Sequence, residues 1–182
     1  MVYVFLADGF EEVEAIAPID LLRRANVEVV TVSINPDRRS VTGARGICVM
    51  ADTTLDNVDL EAAKMLIFPG GGPGTDALCR CERLADILDF AVSENIRIAA
   101  ICAAPAKLLG ARGYLNGKKA TCYPGLENRM TGSIFCEDPV VTDGIFTTSR
   151  GMGTACEFGI ELISILCGQE KAQEIKKSVV MS

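Results

Sequence analysis

The 182-residue chain contains no histidine. A catalytic Cys–His or Ser–His pair built from this chain alone is therefore excluded. It has no apolar run long enough to span a bilayer, so no membrane partner is expected. It has no basic block either. Arg23-Arg24 and Arg38-Arg39 are isolated pairs in a chain of net charge −6, which argues against a nucleic-acid partner. No basic leader precedes the first apolar stretch, Val2 to Ala7, and Asp8-Gly9 cuts that stretch short. It reads as a core strand rather than a signal peptide, and a cytoplasmic location is expected. Paired cysteine motifs at zinc-finger spacing are missing, since Cys79-Arg80-Cys81 is the single close pair; no metal is expected.

What is present describes a packed globular chain. Hydrophobic residues make up 49% and charged residues 23%, a balance that buries a core without disulfide staples. The eight cysteines do not cluster as a secreted framework would, and are expected to be reduced, buried and packed as small hydrophobes. Strand-like runs alternate with helix-period segments. Strands are read at 2–7, 27–32, 64–68, 96–100, 118–121, 140–142 and 145–148, with a small meander over 38–55 and a hairpin turn at Asp143-Gly144. Helices are read at 12–25, 75–79, 83–94, 103–109, 153–166 and 169–179. On the first helix, Val13, Ile16, Ala17, Ile19 and Leu21 are expected to face the core; on the penultimate one, Phe158, Ile160, Leu162, Ile163 and Leu166. The alternation predicts an α/β fold, a mainly parallel sheet with helices on both faces, in one domain over residues 1–182.

One segment carries chemistry. Arg97 to Ile101 is a short apolar run that stops at Cys102, followed by Ala103-Ala104-Pro105 and a helical pattern. That is a strand, a sharp turn and a helix, with small neighbours leaving the thiol exposed. Unpaired N–H groups at the helix start are expected to favour the thiolate. Gly70-Gly71-Gly72 follows a buried strand and offers backbone N–H groups to an oxyanion; without a following Gly-Lys-Ser/Thr it is not a P-loop. In a parallel sheet both turns open on the carboxyl edge. Glu11 and Glu12 read as charge favourable at a helix N-terminus. Glu14 lies in the loop-to-helix region after the first strand, at that same edge. With no histidine present, a carboxyl of raised pKa is the natural proton-transfer partner for Cys102.

Five ordered motifs resemble the ThiJ/PfpI superfamily, in its DJ-one/YajL-like branch. They are Ala7 to Glu14, Pro18 to Arg24, Phe68 to Gly71, Ala99 to Pro105 and Thr148 to Thr154. The resemblance implies a flavodoxin-like, Rossmann-like three-layer α/β/α sandwich that forms homodimers. It implies a nucleophilic cysteine matching Cys102, a protonated glutamate matching Glu14, and oxyanion donors at Gly71 and Ala103 with Gly70 shaping the turn. Arg24 and Arg45 match arginines near the dimer interface. Tyr123 stands where many relatives carry a histidine, as a site-lining residue, and Ala103 stands where protease-like members carry one. Met152 replaces a proline common in the last motif.

The implied function is a cofactor-free enzyme on reactive dicarbonyls, of the glyoxalase or protein-deglycase type, acting on a small dicarbonyl or a glycated thiol or amine. The alternative is an oxidative-stress sensor or chaperone that works through a Cys102 sulfinate. A family label of thiazole monophosphate biosynthesis is a third expectation, although no strong phosphate site accompanies it.

Overall fold

Why the site forms where it does follows from the order of the strands. The structure is a computed structural model describing residues 1–181; the last position of the expected domain, Ser182, lies outside them. In chain order the elements are β1 (Val2–Leu6), α1 (Glu12–Arg24), β2 (Val29–Ser33), β3 (Ser40–Thr42), β4 (Cys48–Met50), β5 (Thr53–Thr54), β6 (Met65–Phe68), α2 (Gly72–Arg80), α3 (Glu82–Ser93), β7 (Arg97–Ile101), β8 (Lys119–Ala120), β9 (Ile134–Phe135), β10 (Val140–Asp143), β11 (Phe146–Ser149), α4 (Ala155–Cys167) and α5 (Gln169–Ser178).

Seven strands form one sheet in the order β10-β11-β7-β6-β1-β2-β5. All pairings within it are parallel except the β10–β11 hairpin. β1 is buried at every position, as a strand covered on both faces must be. Its side chains alternate between two cores. Tyr3 and Phe5 point into the layer built with α2 and α3 through Leu78, Leu84 and Leu88. Val2, Val4 and Leu6 join α1, α4 and α5 through Leu22, Phe158 and Ile175. The fold is therefore a three-layer α/β/α sandwich of the flavodoxin-like kind.

The chain runs from β1 outward to β2, then returns to place β6 on the other side of β1. The gap between the carboxyl ends of β1 and β6 is thus the topological switch point, where loops diverge and leave a crevice. Residues following β1 and β6 meet there, and β7 lies one strand further.

The sequence reading is corrected in four places. Val13 and Ile16 are each 43% exposed. The inward face of α1 carries Glu12, Glu14, Ala15, Pro18, Ile19, Leu21 and Leu22 instead. Two carboxylates turn inward to serve loops that pack on the helix, and this rotates Val13 and Ile16 outward. Ile160 and Leu166 on α4 are only partly buried, unlike Phe158, Leu162 and Ile163. The segment after Cys102 is not a regular helix: Pro105–Leu109 is π-helical and leads into a 3₁₀ turn. All eight cysteines are free, as expected, but only Cys122 is buried, while Cys48, Cys156 and Cys167 are exposed. β9, which pairs with β8 in a small separate sheet, had no signal in the sequence.

Candidate active site

β7 delivers Cys102 to the carboxyl edge, and the turn there is strained. Cys102 has φ +65, a left-handed conformation that costs a non-glycine residue about 1 kcal/mol. Both of its backbone groups are pinned. Its N–H donates to the Ser149 carbonyl at 2.9 Å, and its carbonyl accepts from the Tyr123 N–H at 2.8 Å. Ala103 and Ala104 are buried behind it, where a larger side chain would have no room. The sulfur is left half-buried.

Glu14 arrives from the other side of the switch point. The N-cap of α1 is Glu11, whose carboxylate accepts from the Glu14 N–H at 2.8 Å. One turn of helix then points the Glu14 side chain under the β6–α2 turn, where it is 1% exposed. Its Oε2 accepts from the Gly70 N–H at 2.9 Å. The Cys102 thiol and the Met152 N–H also favour the ionised form of this carboxyl.

Gly70 is where the three parts touch. A Cβ there would lie 2.5 Å from Glu14 Oε2, 2.6 Å from Cys102 Cβ and 3.1 Å from Cys102 Sγ. Only a residue without a side chain lets the acid and the thiol approach each other. Gly71 has φ +91, and a Cβ there would collide with the Gly9 carbonyl. It is the N-cap of α2, so its N–H belongs to the unpaired set at a helix start. The N–H groups of Gly71 and Ala103 favour the ionised form of the Cys102 sulfur.

The electrostatics correct one expectation. Burial raises Glu14 from its ordinary 4.5 to about 7; the negative charge of Glu11 adds to this, and the hydrogen bonds from Cys102, Gly70 and Met152 oppose it. Burial, and then the Glu14 carboxylate, push the Cys102 thiol up to about 12 against the pull of the two N–H groups. The resting sulfur is a thiol rather than the thiolate expected from the helix start. Two backbone donors do not outweigh burial and a carboxylate in contact. Both shifts favour the thiol over the thiolate and leave Glu14, beside it, as the candidate base.

The other candidates divide. Tyr123 is tied to the elbow through its N–H, with a ring that is 51% exposed. Arg24 ends α1 in an exposed ion pair with Asp20. Arg45 lies exposed in the β3–β4 loop, where its N–H donates to Glu12 Oε1 at 2.6 Å. Neither arginine is hydrogen-bonded to Cys102 or Glu14 among the described residues.

Sequence reasoning missed Glu12. It is 5% exposed and holds the β3–β4 loop through the Arg45 and Ile47 N–H groups, yet from sequence it reads as ordinary N-terminal charge. It also undervalued Gly151 and Met152, whose backbone flanks Glu14. A cleft of about 310 Å³ lined by Asp8, Ser33 and Arg38 opens beside β1 and β2 but includes neither Cys102 nor Glu14.

Fold and site define a class: doubly wound α/β proteins with a cysteine at a strained strand-to-helix elbow and a buried glutamate beside it at the switch point. The chain belongs to the DJ-1/PfpI family, whose pattern matches residues 1–165. Protein dj-1beta of Drosophila melanogaster is 36% identical over 98% of this chain and 96% of its own length. The glutathione-independent glyoxalase DJR-1.2 of Caenorhabditis elegans is 32% identical over 94% of this chain and 91% of its own length. The structure of oxidised Toxoplasma gondii DJ-1 superposes with a TM-score of 0.95 at 35% identity, covering 100% of this chain and 98% of that one. The chain spans less than half the length of two Arabidopsis thaliana relatives, DJ-1 homologs B and A, at 41% and 46%.

Proposed function

We propose that this chain is a cofactor-free, cysteine-dependent enzyme on small 2-oxoaldehydes, of the glyoxalase or protein-deglycase type. The observation that carries the reading is the approach of the buried, raised Glu14 carboxyl and the Cys102 sulfur at Gly70, where a Cβ would lie 2.5 Å from Glu14 Oε2 and 3.1 Å from Cys102 Sγ, with the Gly71 and Ala103 N–H groups favouring the ionised sulfur. A relative of similar length carries the name of a glutathione-independent glyoxalase.

The steps follow from the geometry. The Glu14 carboxylate takes the Cys102 proton as the sulfur adds to the aldehyde carbon, and returns it to the new oxygen, giving a hemithioacetal. The two N–H groups hold the oxyanion while it lasts. Glu14 then moves the proton from the aldehyde carbon to the neighbouring ketone carbon, while the hydroxyl proton passes to the ketone oxygen, leaving a thioester of a 2-hydroxy acid. Water hydrolyses the thioester and restores the thiol. The aldehyde carbon is oxidised and its neighbour reduced, so no external redox partner enters. A glycated thiol or amine supplies the same aldehyde carbon in adduct form.

The test is conversion of methylglyoxal to lactate by the purified chain without added thiol. Turnover is expected in the wild type and lost in both Cys102→Ser and Glu14→Gln. Wild-type inactivity, or full activity in Glu14→Gln, overturns the reading.

A second reading, an oxidation sensor, is favoured by one observation: a structure similar to this one at TM-score 0.95 is of an oxidised protein. Peroxide would then add two oxygens at Cys102 ahead of the exposed Cys48, Cys156 and Cys167, which peptide mass spectrometry measures. The raised thiol works against this reading, because the thiolate is the oxidised species.

We also infer a homodimer. Val13 and Ile16 are exposed on α1, the helix whose Glu12 anchors the β3–β4 hairpin, and that hairpin exposes Ile47 and Met50 by 58% and 66%. A second copy is the occupant that the family resemblance suggests for this apolar face. Arg24 and Arg45 lie on the same two elements.

A further inference from the structure

The glycines at the site are not equivalent. Gly70 and Gly71 are compelled, by contacts or by φ. Gly151 is not. Its φ of 164 is ordinary extended backbone. A Cβ built on it would lie 3.4 Å from Tyr123 Cδ2, 3.8 Å from Tyr123 Cε2 and 3.9 Å from Glu14 Oε1. These are normal contact distances, so an alanine would fit without clash. What the missing methyl leaves is a space the size of one carbon in contact with both the Tyr123 ring and the Glu14 carboxyl.

The two walls of that space are fixed. Tyr123 is anchored by the bond from its N–H to the Cys102 carbonyl at 2.8 Å, and it follows the fully buried Cys122. Glu14 is held by Gly70. Tyr123 is nevertheless 51% exposed, on the segment bonded to the elbow that carries the sulfur.

We propose that Gly151 and Tyr123 form the subsite for the substituent of the carbonyl substrate, so that the chain selects 2-oxoaldehydes bearing an apolar group over unsubstituted glyoxal. The inference rests on the dicarbonyl reading above and adds a substrate class to it. The proton that Glu14 moves lies on the carbon bonded to sulfur. The substituent lies on the next carbon, which must also come within reach of Glu14 to receive that proton. A group on that carbon enters the space between Glu14 and the ring. One methyl group placed in an apolar subsite discriminates by about tenfold or more, and an aromatic group gains further contact with the tyrosine face.

Two measurements separate this inference from its foundation. The first is kcat/KM for methylglyoxal and phenylglyoxal relative to glyoxal. The wild type is expected to favour the substituted aldehydes by about tenfold. Gly151→Ala fills the space and Tyr123→Ala removes the wall, and either is expected to abolish the preference. Tyr123→Phe is expected to keep it, because the ring and not the hydroxyl makes the contact. The second is the rate of Cys102 alkylation by N-benzyl iodoacetamide relative to iodoacetamide, which requires no turnover. A benzyl preference lost in Gly151→Ala and Tyr123→Ala supports the subsite even if neither aldehyde is consumed, in which case only the dicarbonyl reading falls. Ratios unchanged between wild type and both variants overturn the subsite, whatever the enzyme turns over.

Discussion

Replacing Glu14 by glutamine should change how stability depends on pH, by an amount the structure sets. The folded carboxyl titrates at about 7 and the unfolded one at its ordinary 4.5. Because the folded value is the higher, the folded chain binds more protons between them. The associated stabilisation is fully present below pH 4.5 and is lost as the pH rises through about 7. At about 1.4 kcal/mol per pKa unit the loss is about 3 kcal/mol. For a domain of this size that is roughly 6–12 °C in Tm. Cys102 does not contribute in this window, since its thiol stays protonated in both states. Asp52 works in the opposite direction. Burial raises it, but the Thr31 N–H and hydroxyl and the Arg23 guanidinium hold it below its ordinary 3.8, so its effect falls at lower pH. The assay is urea unfolding of wild type and Glu14→Gln at pH 4.5 and pH 8. The variant carries no titrating group at this position, so the stability difference between the two proteins isolates Glu14. Relative to the wild type, the variant should gain about 3 kcal/mol between the two pH values. The same group should appear in kinetics, as kcat/KM for methylglyoxal rising with pH through about 7, where the base becomes ionised. A stability difference that stays constant with pH refutes the burial of a protonated Glu14, and with it the argument that this carboxyl is tuned to receive the thiol proton.

Three further outcomes are expected. Gly70→Ala places a methyl 2.5 Å from Glu14 Oε2 and 2.6 Å from Cys102 Cβ, an overpacking cost of about 2 kcal/mol; differential scanning calorimetry should register a lower Tm, and Cys102 alkylation should change in rate, whereas wild-type values for both would contradict the close approach. Glu12→Ala removes the acceptor of the Arg45 and Ile47 N–H groups at a cost of about 1–3 kcal/mol; hydrogen exchange at those two amides should accelerate, and unchanged protection would mean that the loop is held by something else. Val13→Glu puts a charge into the exposed apolar face of α1; sedimentation velocity should report a dimer for the wild type and a monomer for the variant, and a monomeric wild type would remove the dimer.

The parts of the fold legible in the sequence are those whose signal is local. β1, β6 and β7 are continuous apolar runs, and a strand covered on both faces has no other pattern to show. The elbow at Cys102 was legible because a sharp turn needs small residues beside it, and Ala103-Ala104 supply them. The positive φ at Cys102 is the physical counterpart of that reading. What escaped depends on partners distant in sequence. β9 consists of two residues that pair with β8 across an irregular segment, and two residues carry no periodicity. The raised thiol depends first on burial and then on a carboxylate 88 positions away in the chain (Glu14 to Cys102), so the local N–H groups alone gave the opposite sign.

The reading of α1 failed in a way that bears on function. Its apolar residues at 13 and 16 suggested one inward face, while Glu12 and Glu14 looked like favourable charge at a helix start. The structure buries the two carboxylates and exposes the two apolar side chains. Neither half of that inversion is stable alone. A buried carboxylate needs donors: Glu12 Oε1 takes the β3–β4 loop amides, although its Oε2 is buried without a partner among the described residues, and Glu14 Oε2 takes the Gly70 amide. An apolar stripe left in water needs a cover, which a second copy of the chain would provide. A break in a local rule marks a site or an interface when some other element compensates for it. On this helix both breaks occur within five residues, so one segment would serve the proposed catalytic crevice with its buried carboxylates and the proposed partner with its exposed apolar side chains. A single substitution at position 14 should therefore alter chemistry and leave assembly intact, and one at position 13 should alter assembly first.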